Sequence, residues 1–317
     1  MRSMKTKFTD AFQVKYPIVQ GGMAWVSDAV LAAAVSNAGG LGTLSTSGRE
    51  SAWVKEEVKK LKTLTDKPFA VNVVLQAANK DEIIDILCEE RVHCVSLGAG
   101  NPVPYFEKLK SAGIKSLPVV PSLKLAKRVQ DSGADALVIE GMEAGGHIGS
   151  LTTMALMTQV IGEIDIPVVV AGGFADGRGL AAALIMGASA VQMGTRFYAS
   201  KECTAHENAK NLIVHAGDTD TDITGYLAKS MVRGIRNDLT KKYLEMEAAN
   251  APADELVKLV TGTSRKAPQE GDVQWGLVQA GQSLSVIRSV ESCEDIIQTL
   301  IKDAKAAYSG AGTLFAE

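Results

Sequence analysis

The sequence predicts an α/β protein: a closed (β/α)8 TIM barrel with a small helical lid domain inserted near its carboxyl end. Three observations carry that prediction. Short β-branched runs alternate with amphipathic stretches, eight such pairs can be read along the chain, and glycine clusters follow the strands on what would be one face. Eight parallel strands with regular crossovers favour a closed barrel over an open doubly wound sheet, which uses fewer strands. At 317 residues the chain is long enough for one large α/β domain and a small appendage.

The strands are read at 17–20, 41–44, 69–73, 94–97, 116–120, 136–139, 168–171 and 190–193. Between them lie helical segments such as VKEEVKKLKTL and DEIIDILCEE, whose apolar residues recur at helical spacing. The repeats NAGG, SAGI and SGAD each precede a strand and read as turns in which a helix ends at glycine. After the eighth strand the pattern becomes polar and helical, with no strand run. The barrel is therefore assigned to 1–200 and 270–317, with a closing helix around 293–308, and the lid to 201–269.

Composition narrows the function classes. A formal net charge of −3 gives no global basic field, so a nucleic-acid partner is not expected. The four cysteines show neither a CxxC pair nor zinc-like spacing with histidine, so they are expected to be reduced thiols and no metal site is expected. The amino-terminal MRSMKTKFTDAF has no apolar run of the secretory type, and the apolar stretch 166–194 is broken by Asp176 and Arg178. A cytoplasmic protein with no membrane partner is expected.

In such a barrel, ligands sit at the carboxyl ends of the strands. Five predicted loops there are rich in glycine or polar groups: GGMAW after the first strand, Asn72 at the third, EGMEAGGHIG after the sixth, AGGFADG after the seventh and QMGTRF at the eighth. The loops after strands seven and eight are the usual phosphate cradle of this architecture, which places Gly172, Gly173, Gly194 and Thr195 around a dianion. His147 stands directly behind Gly145 and Gly146, where backbone can approach a ligand closely and an imidazole can act on it. His93, His206 and His215 read as structural or solvent-exposed. Of Glu140 and Glu143, the former follows its strand directly and is favoured as a ligand contact. In SMVRGIRNDLTKKY, Arg233 and Arg236 are expected three apart on a helix, with Lys241 and Lys242 on the following turns, as a patch for an acidic partner.

QGGMAWVSDAVLAAAVSNAGGLG, FAVNVVL, GAGNP, EGMEAGGHIG, PVVVAGGFADG and VQMGTRF, in this order, resemble the FMN-dependent enoyl-acyl carrier protein reductase II family, within the wider nitronate monooxygenase (2-nitropropane dioxygenase) superfamily. The resemblance covers the barrel and continues through VRGIRN and AGQ. It implies FMN at the barrel mouth, NADH or NADPH as reductant, acyl carrier protein bearing an enoyl thioester as partner, a homodimer, and in some members activation by a monovalent cation. It implies flavin contacts at Gly22, Met23, Ala24, Asn72, Glu140 and Gly145, with Gly146 beside them. Gly172, Gly173, Gln192, Gly194 and Thr195 would hold the ribityl phosphate, next to Met193, and His147 falls on the active-site histidine. The implied reaction is reduction of the trans-2 double bond of the thioester. The alternatives are a nitronate monooxygenase, in which the histidine takes a proton from a nitroalkane, and a phosphate-binding barrel without redox chemistry.

Overall fold

The computed structural model of the chain describes residues 4–312. Residues 1–3 of the amino-terminal stretch and 313–317 of the barrel assignment lie outside the described residues. Eleven strands are formed among them: β1 (Ile18–Gln20), β2 (Gly42–Ser45), β3 (Phe69–Val74), β4 (Cys94–Gly98), β5 (Lys115–Val120), β6 (Leu137–Glu140), β7 (Gly146–His147), β8 (Val168–Ala171), β9 (Ala190–Met193), β10 (Thr221–Thr224) and β11 (Val232–Ile235).

Eight of them form one parallel sheet in the order β1-β9-β8-β6-β5-β4-β3-β2, and these are the eight strands the sequence predicts. The barrel closes between β1 and β2, where the Gln20 amide donates to the Leu41 carbonyl at 3.0 Å and the Leu41 amide to the Ile18 carbonyl at 2.8 Å. The buried Gln20 side chain strengthens this seam: its carbonyl oxygen accepts from the Thr43 amide at 2.9 Å and its amide donates to Ser27 Oγ at 2.9 Å.

The period of two along each strand divides the apolar residues into two layers. Val19, Leu41, Ala70, Leu117, Val138 and Val169 fill the lower barrel interior. Val71, Val95, Ile139 and Val170 face outward into the helix layer. The helix Lys7–Phe12 stoppers the bottom, with the rings of Phe8 and Phe12 stacked at 4.4 Å and His93 Nε2 hydrogen-bonded to the Phe12 carbonyl at 3.0 Å. His93 is thus part of the barrel base. The helices start where a side chain satisfies an orphan amide: Asp28 caps Ala29–Asn37 and Asp176 caps Gly177–Ile185. The closing helix Cys293–Gly312 lies so near Gly177–Ile185 that a Cβ on Gly177 would stand 2.6 Å from the Ala304 amide nitrogen.

The polar unit departs from the all-helical expectation. It has the helices Glu207–His215, Asp238–Ala248 and Ala253–Val260, but also β10 and β11, which pair antiparallel, and β11 pairs in turn with β7 of the barrel. Four-residue strands carrying Asp222, Arg233 and Gly234 show no apolar alternation, and their sheet is completed by a partner some ninety residues away in the chain. Arg233 therefore lies on a strand, and Arg236 just beyond it, rather than on one helix face. All four cysteines are free, and no helix among the described residues is long and apolar enough to cross a membrane.

Candidate active site

A cavity of about 760 Å³ opens at the carboxyl ends of the barrel strands. Its wall includes every residue expected to be catalytic or to contact a cofactor: Gly22, Met23, Ala24, Asn72, Glu140, Gly145, Gly146, His147, Gly172, Gly173, Gln192, Met193, Gly194 and Thr195. Met193 contributes differently from the rest, because its side chain is buried in the helix-facing layer. The cavity also takes in Gly98 to Pro102 at and after β4 and Gly281, which lie in the motifs GAGNP and AGQ but were given no site role, and stretches the sequence did not mark: Ser45 at the end of β2 and Ser47 after it, Val103, Pro121 after β5, Lys229 to Met231 between β10 and β11, and Gln279. Position at or after the end of a strand could have found Ser45, Ser47, Gly98 to Val103 and Pro121. Nothing local marks Lys229 to Met231 or Gln279.

The glycines have separable reasons. A Cβ on Gly22 would lie 2.5 Å from that of Asn72, so the β1 loop leans directly on the inner end of β3. A Cβ on Gly145 would meet the Ala280 backbone at 2.6 Å, and one on Gly172 the Gly141 carbonyl at 2.8 Å, so these two are required by packing. Gly173 and Gly194 differ. The nearest atoms to an added Cβ are Glu143 Cβ at 3.5 Å and Met23 Sδ at 3.7 Å, so both border free space within the cavity. Thr195 Oγ1 accepts from the Gly281 amide at 2.9 Å, which leaves its hydroxyl proton to donate. Small residues, open space and a hydroxyl donor on two adjacent loops fit a phosphate group, and the remaining cavity wall, which includes Gly22, Asn72 and Gly145, leaves room for a ring system.

The two acidic residues of the β6 loop have distinct roles. Glu143 is committed to the protein: its carboxylate accepts from the Thr153 amide at 2.9 and 3.0 Å and from Thr153 Oγ1 at 2.9 Å. Glu140 has no side-chain hydrogen-bond partner among the described residues, and burial pushes its carboxyl up to about 7. It is a cavity-wall carboxyl that changes charge near neutrality.

His147 also faces the cavity with its ring free of hydrogen bonds among the described residues. Partial burial lowers its pKa, so at neutral pH the imidazole is uncharged, with one N–H to donate and one nitrogen to accept. Its backbone is fixed by pairing with Val232 and by the Ile148 amide donating to the Met231 carbonyl at 3.0 Å. Arg233 holds the same loop: it is 4% exposed, its Nε donates to the Met142 carbonyl at 3.0 Å and its Nη1 to Thr221 Oγ1 at 2.9 Å. The expected basic docking patch therefore does not form. Arg233 is interior, Arg236 is paired with Asp222, and Lys241 and Lys242 lie near Asp238 and Glu245 on the next helix. His206 and His215 serve their own helix, Glu207–His215, through a 3.1 Å bond from the Asn208 amide and a 2.8 Å bond to the Asn211 carbonyl.

The nitronate monooxygenase family profile matches residues 5–86 and 76–303. The chain belongs to the nitronate monooxygenase family. Among solved structures of this kind, FabK from Thermotoga maritima superposes with a TM-score of 0.96 at 40% identity, covering 99% of this chain and 100% of that one. A (3aS,4S,5R,7aS)-5-hydroxy-7a-methyl-1-oxo-octahydro-1H-indene-4-carboxyl-CoA dehydrogenase of Rhodococcus jostii is 33% identical, with 99% of both chains covered. A probable nitronate monooxygenase of Staphylococcus saprophyticus is 32% identical, covering 95% of this chain and 98% of that one. The family places the chain among oxidoreductases built on this barrel.

Proposed function

We propose that the chain is an FMN-dependent enoyl-acyl carrier protein reductase, which reduces the trans-2 double bond of an enoyl thioester with a reduced nicotinamide nucleotide. The observation that carries this reading is the juxtaposition, in one cavity, of a glycine-bordered phosphate cradle and a neutral imidazole with no protein partner. The likeness to FabK over the whole chain supports it.

In this reading Gly173, Gly194 and Thr195 hold the phosphate of FMN, and Gly22, Asn72 and Gly145 border its ring. When bound, the flavin supplies hydride transfer from the nucleotide to the β-carbon of the thioester. Hydride arrival leaves negative charge on the thioester oxygen, which requires a donor there. His147 supplies the donor: its N–H is free to bond the carbonyl, and its backbone is held on both sides of the β7 pairing. A neutral donor binds the uncharged substrate without offering it a proton prematurely. Glu140, whose carboxyl titrates near neutrality, is the wall group suited to exchange a proton with bound reactants.

A second reading, oxidation of nitronates with oxygen, is favoured by the relative from Staphylococcus saprophyticus and by the accepting nitrogen of the same neutral His147, which could take a proton from a nitroalkane. One experiment separates the two. The flavin of the purified protein is reduced anaerobically with NADH or NADPH, then mixed with an enoyl thioester. Rapid reoxidation supports the reductase; reoxidation by oxygen alone, with turnover of nitroethane, overturns it in favour of the monooxygenase.

A further inference from the structure

Beside the cavity, on the side of the β1 and β2 loops, two arginines lie against one indole. The Arg49 guanidinium lies against Trp25 and Trp53, 4.4 and 4.2 Å from their ring centroids, and Arg265 of the small unit approaches the Trp25 ring at 5.5 Å. Trp25 is firmly placed. It adopts a left-handed φ of 65°, its carbonyl accepts from Gln269 Nε2 at 2.9 Å, and a Cβ on Gly48 would stand 2.6 Å from its ring. Each residue adjoins the cavity wall: Trp25 follows Ala24, Arg49 lies two residues after Ser47, and Arg265 follows Ser264.

Neither guanidinium is in an ion pair among the described residues. The nearby carboxylates are occupied: Glu57 accepts from the Ala29 amide at 3.0 Å and from Lys60 at 3.3 Å, and Asp28 accepts from the Leu31 amide at 3.0 Å and Thr204 Oγ1 at 2.6 Å. Burial lowers the affinity of Arg49 for the proton, the carboxylates of Glu57 and Asp28 restore part of it, and Arg265 acts against its charge. Two guanidinium groups set about one ring attract an anion to its edge, and a guanidinium fixed in place by aromatic stacking is ordered in advance for a phosphate.

We propose that Arg49 and Arg265, set about Trp25, form a phosphate-binding site for incoming substrate, separate from the glycine cradle. The phosphate is that of a nicotinamide dinucleotide or of a phosphopantetheine-borne thioester. Only these two sources rest on the function proposed above; the anion site itself does not.

The purified protein is titrated with coenzyme A, with ADP-ribose and with phosphate-free adenosine while tryptophan emission is followed; Trp25 and Trp53 are two of the three tryptophans in the chain. At least one phosphate probe is expected to change the emission saturably, with affinity falling about tenfold in Arg265→Gln and further in Arg49→Gln, and falling with added salt. Arg265 is exposed, so its variant tests the site without risk to the fold. Loss for coenzyme A alone identifies the phosphopantetheine arm, loss for ADP-ribose alone the nucleotide, and loss for both a shared site. Unchanged binding of both probes in Arg265→Gln and Arg49→Gln, or equal binding of adenosine, overturns the proposal. If arginine-dependent binding persists in a protein that turns over nitroethane and not thioester, the function reading fails and the site stands.

Discussion

His147 and Val232 face each other in an antiparallel strand pair, so the small unit holds the backbone that presents the cavity imidazole. The barrel supplies the glycine loops, and the hairpin of β10 and β11 fixes where the β6 loop ends. A cavity with its polar group set this way couples the packing of the small unit to chemistry in the barrel.

His147→Ala should retain its yellow colour and still be reduced by the nicotinamide nucleotide, because the phosphate cradle belongs to other loops. Reoxidation by enoyl thioester should slow by about 100-fold to 1000-fold, the usual cost of removing one such donor. Stopped-flow absorbance of the two half-reactions reads both. A reoxidation rate within a fewfold of the parent would demote His147 to a structural residue.

Gly194→Asp tests the cradle with little disturbance of the fold. Gly194 has a φ of −98°, which any residue adopts, and an added Cβ meets only Met23 Sδ at 3.7 Å. The carboxylate would fill the phosphate space and repel its charge, so the variant should purify folded but colourless. Full flavin content, measured by absorbance after gel filtration, would remove Gly194 from the site.

Arg233→Ala should lower stability by about 2 kcal/mol, since it leaves the Met142 carbonyl and Thr221 hydroxyl without their charged partner in a buried place. It should also slow thioester reduction more than nucleotide oxidation, because the loop it braces carries His147. Arg233→Lys, which keeps the charge but loses the fork, should recover part of both. Urea unfolding and the two half-reactions check this; equal slowing of both half-reactions would contradict it.

Glu140 makes stability depend on pH. Its carboxyl holds a proton up to about 7 in the fold against 4.5 ordinarily, so the folded chain binds that proton more tightly than the unfolded chain does. The contribution is fully present below about pH 4.5 and is lost as pH rises through about 7, by about 3 kcal/mol at most. Glu140→Gln should therefore gain on the flavin-free parent in melting temperature between about pH 5 and pH 8. Parallel melting curves for the two proteins would show that Glu140 does not titrate in this range.

The barrel was legible because its strands are short runs rich in β-branched and small residues bounded by glycine or proline turns, as 168–171 and 190–193 show. The place of the cavity followed from position, because the residue after a strand in a closed barrel has few other places to be, while Met23, Ala24 and Gln192 were named only through the family resemblance. The small unit was less legible for the opposite reason. Val232-Arg233-Gly234-Ile235 has no local strand signal, and its pairing is decided by Gly146 and His147 far away in the chain. Arg233 looked like surface charge because the carbonyl and hydroxyl that make its burial affordable come from Met142 and Thr221, neither of which is its sequence neighbour. The stacking of Arg49 between Trp25 and Trp53 joins two loops and was equally invisible.

The stopper formed by Phe8, Phe12 and His93 bears on kinetics as well as packing. With the lower barrel filled by apolar side chains, reactants have to enter and leave through the upper mouth. On the proposed reductase reading, a nucleotide and a thioester would both have to reach one ring through this one doorway and would compete for it. The order expected on that reading is ping-pong, with oxidised nucleotide departing before thioester arrives, and double-reciprocal plots at several nucleotide concentrations should run parallel.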